Sequence, residues 1–356
     1  MKVAVVYMHA LGLGGYPRDV RWLTGALDDM GINVTLFCGR GNVTDGLRSS
    51  VKIESLQNIR KADADLFHMF GVMIPAHVYC LADILMRGKC VVISPLGQLM
   101  PLFLRRRRLK KEVYLQVIKP LLSRSNGYHV FSRIEAASVE RFLSSNIRTF
   151  QAPLGVFPPP RGVFRKQGKS ETGLRLLFLG RNDVHQKGID YLLEGFAKAI
   201  SDGMSGQLTI AGQPWGDSHR FITSFIDQRG MRERMRVVGP VDEEAKWALL
   251  AGADYLVFLS RWDGPPRPVR EAISIGTPVI VSPETNKGDL VEKYGAGMQV
   301  SLNPGKVARA LVRVSQESGL RAQHSDGALV LGERLQWNRV ATDYIHGYRR
   351  VLATWK

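Results

Sequence analysis

Residues 174–200 read LRLLFLGRNDVHQKGIDYLLEGFAKAI. The first six, Leu174–Leu179, are apolar except for Arg175, which suits a short strand covered on both faces. Gly180 and Arg181 stand at the strand's carboxyl end. Lys187 and Gly188 come six residues after the arginine, and Ile189 to Ile200 carries apolar residues at helical spacing. Strand, polar loop and helix make one βα unit, the repeating element of a parallel sheet packed between helices. Two cations at such a strand end can clamp a diphosphate and neutralise a departing nucleotide. The alternative is a pair of solvated loop charges.

The alternation continues on both sides of this unit. Downstream, Gln207–Ala211, Met235–Val238, Tyr255–Ser260, Pro278–Val281 and Met298–Ser301 read as strands. Upstream, Val3–Met8, Asn33–Cys38, Asp65–Phe70, Val91–Ser94 and Tyr128–Ser132 form a second series. In the first helix of that series Val20, Leu23, Leu27 and Met30 recur at helical spacing until Gly31, and Ser132 with Glu135 forms a capping-box pattern. Between the series, Pro153 and Pro158-Pro159-Pro160 fit neither a helix interior nor a central strand. The chain therefore divides into an N-terminal domain, 1–155, a linker, 156–172, a C-terminal domain, 173–336, and a last helix, 337–356, free to cross back onto the first domain. The predicted class is α/β: two Rossmann-like doubly wound parallel sheets facing across a cleft, with ligands beyond the strand carboxyl ends.

Bulk composition restricts the partners. With 356 residues, two cores are expected. The balance of 49 Lys+Arg against 32 Asp+Glu, a formal +17, suits phosphorylated substrates, an anionic membrane surface or nucleic acid. Aromatic residues are 8% and none interleaves with the basic run as a stacking platform requires, so nucleic acid is not the expected partner. Three cysteines, Cys38, Cys80 and Cys90, lack metal-ligand spacing and fit a reducing, cytoplasmic setting. The longest stretch without Lys or Arg, Leu66 to Met86, contains His68, Pro75, His77 and Asp83 and reads as a strand end and a helix rather than a membrane span.

Three further segments carry candidate chemistry. Gly12-Leu13-Gly14-Gly15 follows the first strand, where glycines let backbone approach an anion at a helix start. It is no dinucleotide fingerprint: the third glycine would fall at Pro17, and no acid follows Cys38-Gly39-Arg40. A plain tight turn serves as well. Asp263 and Glu271 lie eight apart after the strand Tyr255–Ser260, one on the loop and one near the helix start. Carboxylates there can grip vicinal sugar hydroxyls, or act as an N-cap and a surface acid. Arg105, Arg106, Arg107, Arg108, Lys110 and Lys111 sit beside Leu102, Phe103, Leu104, Val113, Tyr114, Val117 and Ile118. This basic amphipathic helix fits anionic lipid, a phosphate-rich acceptor, or a solvated face.

Together the segments resemble the GT4 family of retaining glycosyltransferases over nearly the whole chain. FLGRNDVHQKGIDYLLEGF, Phe178 to Phe196, resembles the donor-phosphate segment. Asp263 to Glu271, followed by AISIGTPVI, is similar to its E-x7-E segment, Gly14-Gly15 to its N-terminal glycine loop, and Trp337 with the last helix to its crossover. The resemblance implies a GT-B fold and a nucleotide-diphosphate-sugar donor. Arg181 and Lys187 would hold the diphosphate, Glu271 the ribose, Asp263 the transferred sugar, and backbone near Gly239 the base, with Arg267 or the Gly264 amide standing in for the backbone donors missing at Pro265-Pro266. Gly15 would cap the phosphate. It also implies retention by front-face attack with no metal and no cofactor. Together with the cysteines and the basic helix, the expectation is a cytoplasmic enzyme, peripheral at the inner membrane face, acting on a glycan or lipid-linked acceptor. Three positions depart from the family: Asp263 replaces a usual Glu, Pro265-Pro266 replaces Phe-Gly, and Ser94-Pro95-Leu96-Gly97 puts Leu96 where a histidine is usual. His68 is a candidate substitute on the sugar side, against a structural histidine. The departures motivate an alternative, a catalytically silent nucleotide- or sugar-binding protein on the same fold.

Overall fold

Strands apolar on both faces must be covered on both, and the chain achieves this twice. The computed structural model describes residues 1–105, 108–143, 147–160, 162–163, 173–285 and 288–355. Residues 161 and 164–172 of the expected linker, and Arg106 and Arg107 of the basic run, lie outside them. Of Arg105 and Arg108 only the backbone is described.

The first sheet holds β1 (Lys2–Val6), β2 (Asn33–Cys38), β3 (Lys52–Ser55), β4 (Leu66–Phe70), β5 (Cys90–Ser94), β6 (Gly127–Val130) and β7 (Thr149–Gln151), in the order β3-β2-β1-β4-β5-β6-β7. The second holds β8 (Leu174–Leu179), β9 (Gly206–Ala211), β10 (Met235–Val238), β11 (Tyr255–Phe258), β12 (Val279–Val281) and β13 (Gly297–Gln299), in the order β10-β9-β8-β11-β12-β13. All pairings are parallel: Val5 lies opposite Leu36 on one side and His68 on the other, and Leu176 opposite Leu208 and Tyr255. Both are doubly wound α/β sheets of Rossmann type. The strand order reverses between β1 and β4 in one and between β8 and β11 in the other, which are the places such sheets bind ligands.

Two strands escaped the sequence reading. β3, KIES, is mostly exposed, and β7, TFQ, is three residues long. Both are edge strands, where the apolar run that marks a central strand is not required.

Contacts divide the chain into Met1–Gly155 with Leu335–Lys356, and Val156–Arg334. The last helix, Trp337–Trp355, thus belongs to the first unit, burying Trp337, Val340, Tyr344, Tyr348 and Val351 there. Small residues permit its approach. A Cβ on Gly347 would lie 2.3 Å from the Phe150 ring, and one on Gly155 2.4 Å from Trp337. In the second unit, Phe178 of β8 stacks on Phe258 of β11, ring centroids 5.7 Å apart.

A buried polar chain ties the last helix to the first sheet. Ala152 C=O can only accept, so the His129 Nε2 bonded to it at 2.9 Å carries the proton. His129 Nδ1 must then accept from the Ser94 hydroxyl, 2.7 Å away. Ser94 Oγ in turn accepts from His68 Nε2 at 2.7 Å, and His68 Nδ1 accepts from the Tyr348 hydroxyl at 2.7 Å. One carbonyl therefore sets the tautomer of two histidines and the sense of four hydrogen bonds. Burial holds both rings neutral: His129 is pushed down to about 3 and His68 well below its usual value.

Candidate functional site

In the second unit the loops after β8 and β11 meet at the switch point. The β8 loop is shaped by Asp183, whose carboxylate accepts the Gln186 N–H at 3.0 Å and whose carbonyl accepts the Lys187 N–H at 2.8 Å. Gly188 then turns left-handed, φ 60°, against β11; a Cβ there would lie 1.9 Å from the Leu259 carbonyl oxygen, so only glycine fits. Arg261 knits the two loops. Its amide donates to Gln186 O at 2.8 Å, and its guanidinium to His185 O at 2.6 Å and to the Asp190 carboxylate at 2.9 and 2.5 Å.

This scaffold brings three predicted residues together. Lys187 Nζ forms an ion pair with Asp263, the two side chains 12% and 18% exposed. Asp263 also accepts from the Ser260 hydroxyl at 3.2 Å, and its amide donates to Glu284 O at 3.2 Å. Arg181 lies alongside with 40% of its side chain exposed. Its guanidinium rests 4.3 Å over the Trp215 ring, donates to Gln186 Oε1 at 2.6 Å and stands 3.6 Å from Asp183. Two cations thus lie at one strand end, held by groups that leave Arg181 partly open to an anion. The sequence reading assigned Lys187 to phosphate and Asp263 to sugar; the structure pairs them directly, so an incoming diphosphate would compete with Asp263 for the ammonium.

Glu271 is 1% exposed at the helix Arg267–Ser274, accepting from Lys246 Nζ at 2.8 Å with Arg267 Nε at 3.6 Å. A carboxylate so buried needs a cation, and Lys246 supplies it while also bonding Glu243 at 2.7 Å. Sequence reasoning missed Lys246, although a signal was present: it lies four residues before buried Leu250, on the apolar face of its helix. Arg261 and Trp215 were missed too, and their roles depend on contacts distant in sequence. Gly264 and Arg267 are half-buried on the β11 loop and helix start. Gly239 is exposed beyond β10, its carbonyl accepting the Gly212 N–H at 3.1 Å.

In the first unit, Gly14, φ 120°, precedes the helix Gly15–Asp29. Arg21 in that helix, 2% exposed, donates to Ala10 O at 2.6 Å and Gly12 O at 2.9 Å and pairs with Asp45. It fixes the carbonyls of the glycine loop. His77 closes the β1–β4 switch point: its Nε2 accepts the Met8 amide at 2.9 Å, so Nδ1 carries the proton and donates to Gly71 O at 3.1 Å. Leu96 has φ 58°, alone among the described non-glycine residues in being positive, a conformation costing about 1–2 kcal/mol. Its carbonyl accepts the Tyr16 hydroxyl at 3.3 Å, and the following Gly97 amide donates to Glu135 at 2.6 Å.

Two expectations for this unit need correction. His68 does not reach a sugar: it is 0% exposed and both ring nitrogens are used in the buried chain under the last helix. The basic helix, Arg108–Leu122, buries Leu115, Ile118 and Leu122 and turns Leu109, Val113 and Val117 outward, 78%, 65% and 72% exposed. Lys110 is exposed, but Lys111 folds inward, donating to Phe103 O at 2.6 Å with its ammonium 3.6 Å over the Phe103 ring. The exposed apolar stripe runs along 109, 113 and 117 rather than through Leu104 and Ile118.

Comparison with known proteins places this architecture. Residues 162–328 match the family model described as glycosyl transferases group 1. An uncharacterized glycosyltransferase of Methanocaldococcus jannaschii is 28% identical over 187 residues, 52% of this chain and 47% of that protein. The GDP-mannose:cellobiosyl-diphosphopolyprenol alpha-mannosyltransferase of Xanthomonas campestris is 24% identical over 338 residues, 91% of this chain and 82% of that protein. Among solved structures, Anabaena HepE in complex with UDP superposes with a TM-score of 0.74 at 13% identity, covering 98% of this chain and 100% of that one. The chain has the two Rossmann-like domains of the GT-B fold, and its second unit is similar to the group 1 glycosyltransferases over residues 162–328.

Proposed function

We propose that the chain moves a hexose-type sugar from a nucleotide-diphosphate-sugar to a glycan or lipid-linked acceptor, with retention of configuration and without a metal ion. The observation that carries this is the Arg181–Lys187–Asp263 cluster at the β8–β11 switch point. A leaving diphosphate develops negative charge as the glycosidic bond breaks. Fixed cations at that spot stabilise the charge more in the transition state than in the ground state. Asp263, held by Ser260 and its own amide, supplies an acceptor for sugar hydroxyls. A phosphate oxygen on the same face can take the proton of the incoming acceptor, which retains configuration. The solved UDP complex of HepE supports a nucleoside diphosphate ligand, and the Xanthomonas relative's name supports a lipid-diphosphate acceptor.

The outward stripe of Leu109, Val113 and Val117 beside Lys110 supports a peripheral site on an anionic, inner membrane face. Among the described residues no helix is long and apolar enough to cross a membrane.

Calorimetry with a nucleotide panel, followed by turnover of the matching nucleotide-sugars with and without EDTA, tests the reading. Micromolar affinity for one diphosphate and EDTA-insensitive transfer are expected. Millimolar or weaker binding of every nucleotide would overturn it. Tight binding without hydrolysis or transfer would favour the catalytically silent alternative that Leu96 and Pro265-Pro266 raise.

A further inference from the structure

The turn after β5 holds a left-handed leucine, and strain of that kind persists only where the surroundings over-determine it; it concentrates where backbone meets ligand. Side chains from separate elements hold this turn. Tyr16, on the glycine-loop helix, donates to Leu96 O at 3.3 Å. Gln98 accepts the Val72 and Met73 amides at 2.7 and 3.0 Å, tying the turn to the end of β4. Glu135, from the helix after β6, accepts the Gly97 amide at 2.6 Å on one oxygen and the Phe131 amide at 2.8 Å on the other.

Glu135 is 1% exposed, and among the described residues its carboxyl is held by two backbone amides and pairs with no cation. A carboxylate buried without a cation is costly, and capping its own helix does not demand one: Ser132 Oγ accepts the Glu135 amide at 3.1 Å, and in such a capping box glutamine serves in place of glutamate. Gripping two N–H groups at once does demand it. Glutamine offers one acceptor atom, and its amide nitrogen would face the second N–H.

We propose that Glu135 is a positioning residue for the acceptor side: through the Gly97 amide it holds the buried Leu96–Gly97 turn in place against Tyr16, setting the carboxyl end of β5 that a glycan or lipid-linked acceptor meets. The proposal rests on the transferase reading above. The same geometry makes the hold dependent on protonation, because a proton on either oxygen turns an acceptor into a donor and releases one amide. Burial, offset by the two amides, pushes Glu135 up to about 7. Of the titratable groups around the turn, the Tyr16 hydroxyl is engaged by Leu96 O and His129 is neutral in the buried chain.

The test uses the whole chain. Hydrogen exchange at Gly97, corrected for intrinsic rates, should be about tenfold faster at pH 6 than at pH 8 in the wild type and fast at both in Glu135→Gln. Acceptor KM should rise several-fold in that variant and lose its dependence on pH between 6 and 8, with nucleotide affinity unchanged. If Glu135→Gln does not fold, Tyr16→Phe, which loosens the same turn from the other side, should speed Gly97 exchange and raise acceptor KM. Exchange independent of pH in the wild type, or variants that lower only the melting temperature, would overturn the proposal. A wild type that neither binds nucleotides nor transfers sugar would instead sink the transferase reading, while the exchange data still judge the hold on the turn.

Discussion

Lys187 and Asp263 constrain one another, and that pairing makes their variants diverge. In the proposed reaction, Lys187→Ala removes a cation from the point where the leaving diphosphate would gather charge. Turnover should fall about 100- to 1,000-fold, roughly 3–4 kcal/mol, with circular dichroism unchanged because the pair is partly exposed and Asp263 keeps its Ser260 contact. Asp263→Asn should behave oppositely in binding. It frees the ammonium from a competing carboxylate, so a free nucleoside diphosphate should bind several-fold tighter by calorimetry while transfer falls. Equal losses of affinity in both variants would show that the ion pair is not where the phosphate sits. At this scale the sequence was partly legible. The glycine–arginine and lysine–glycine spacing exposed the cations because chemistry fixes them to one loop. Arg261, Trp215 and Lys246 were not found, since each acts on a residue between 25 and 76 positions away.

Elements were more legible than contacts. Apolar runs marked eleven of the thirteen described strands, because a strand covered on both faces has little freedom in composition; β3, mostly exposed, and β7, three residues with one buried, carry too short an apolar run to stand out and were missed. Helical spacing located the basic helix but did not distinguish its faces, because two apolar rows run along it and only packing tells which is buried. The outward row yields a prediction. Val113→Glu with Val117→Glu should weaken binding to anionic liposomes at least tenfold, as apolar surface and charge both act against insertion, and leave nucleotide affinity unchanged. Equal liposome binding would assign the stripe to something other than a bilayer. The buried chain under the last helix gives a second element-scale prediction. Tyr348→Phe orphans one acceptor, His68 Nδ1, and should cost about 1–3 kcal/mol in urea denaturation. The chain cannot reverse to compensate, because Ala152 C=O fixes its sense. Ser94→Ala breaks two links and should cost more.

For the whole molecule, the first unit carries a load of buried neutral groups that the sequence displays only as isolated histidines. His68, His77 and His129 all have their proton affinity lowered by burial, His77 to about 4 and His129 to about 3. A group whose affinity is lowered in the folded state adds stability above its unfolded pKa, near 6.5, and loses it as pH falls towards the folded value. Glu135 runs the other way. Raised by burial to about 7, it adds stability at low pH that is lost between roughly 4.5 and 7 as pH rises. Near pH 5.5 the unfolded chain therefore binds up to three protons that the native histidines refuse, while the native glutamate holds one that the unfolded chain largely releases. The balance is about two protons taken up on unfolding, or about 2.7 kcal/mol of stability lost per unit of pH. Calorimetric scans between pH 7 and 5 should show one transition moving steeply down with acid. A nucleoside diphosphate should raise a different transition, that of the unit holding Arg181 and Lys187, by mass action on the folded state. Replacing His77 with glutamine, which can still accept from Met8 and donate to Gly71, should remove about one proton from the acid slope. If the acid-sensitive and nucleotide-sensitive transitions prove to be the same, the two units unfold together and the acid sensitivity cannot be assigned to the first alone.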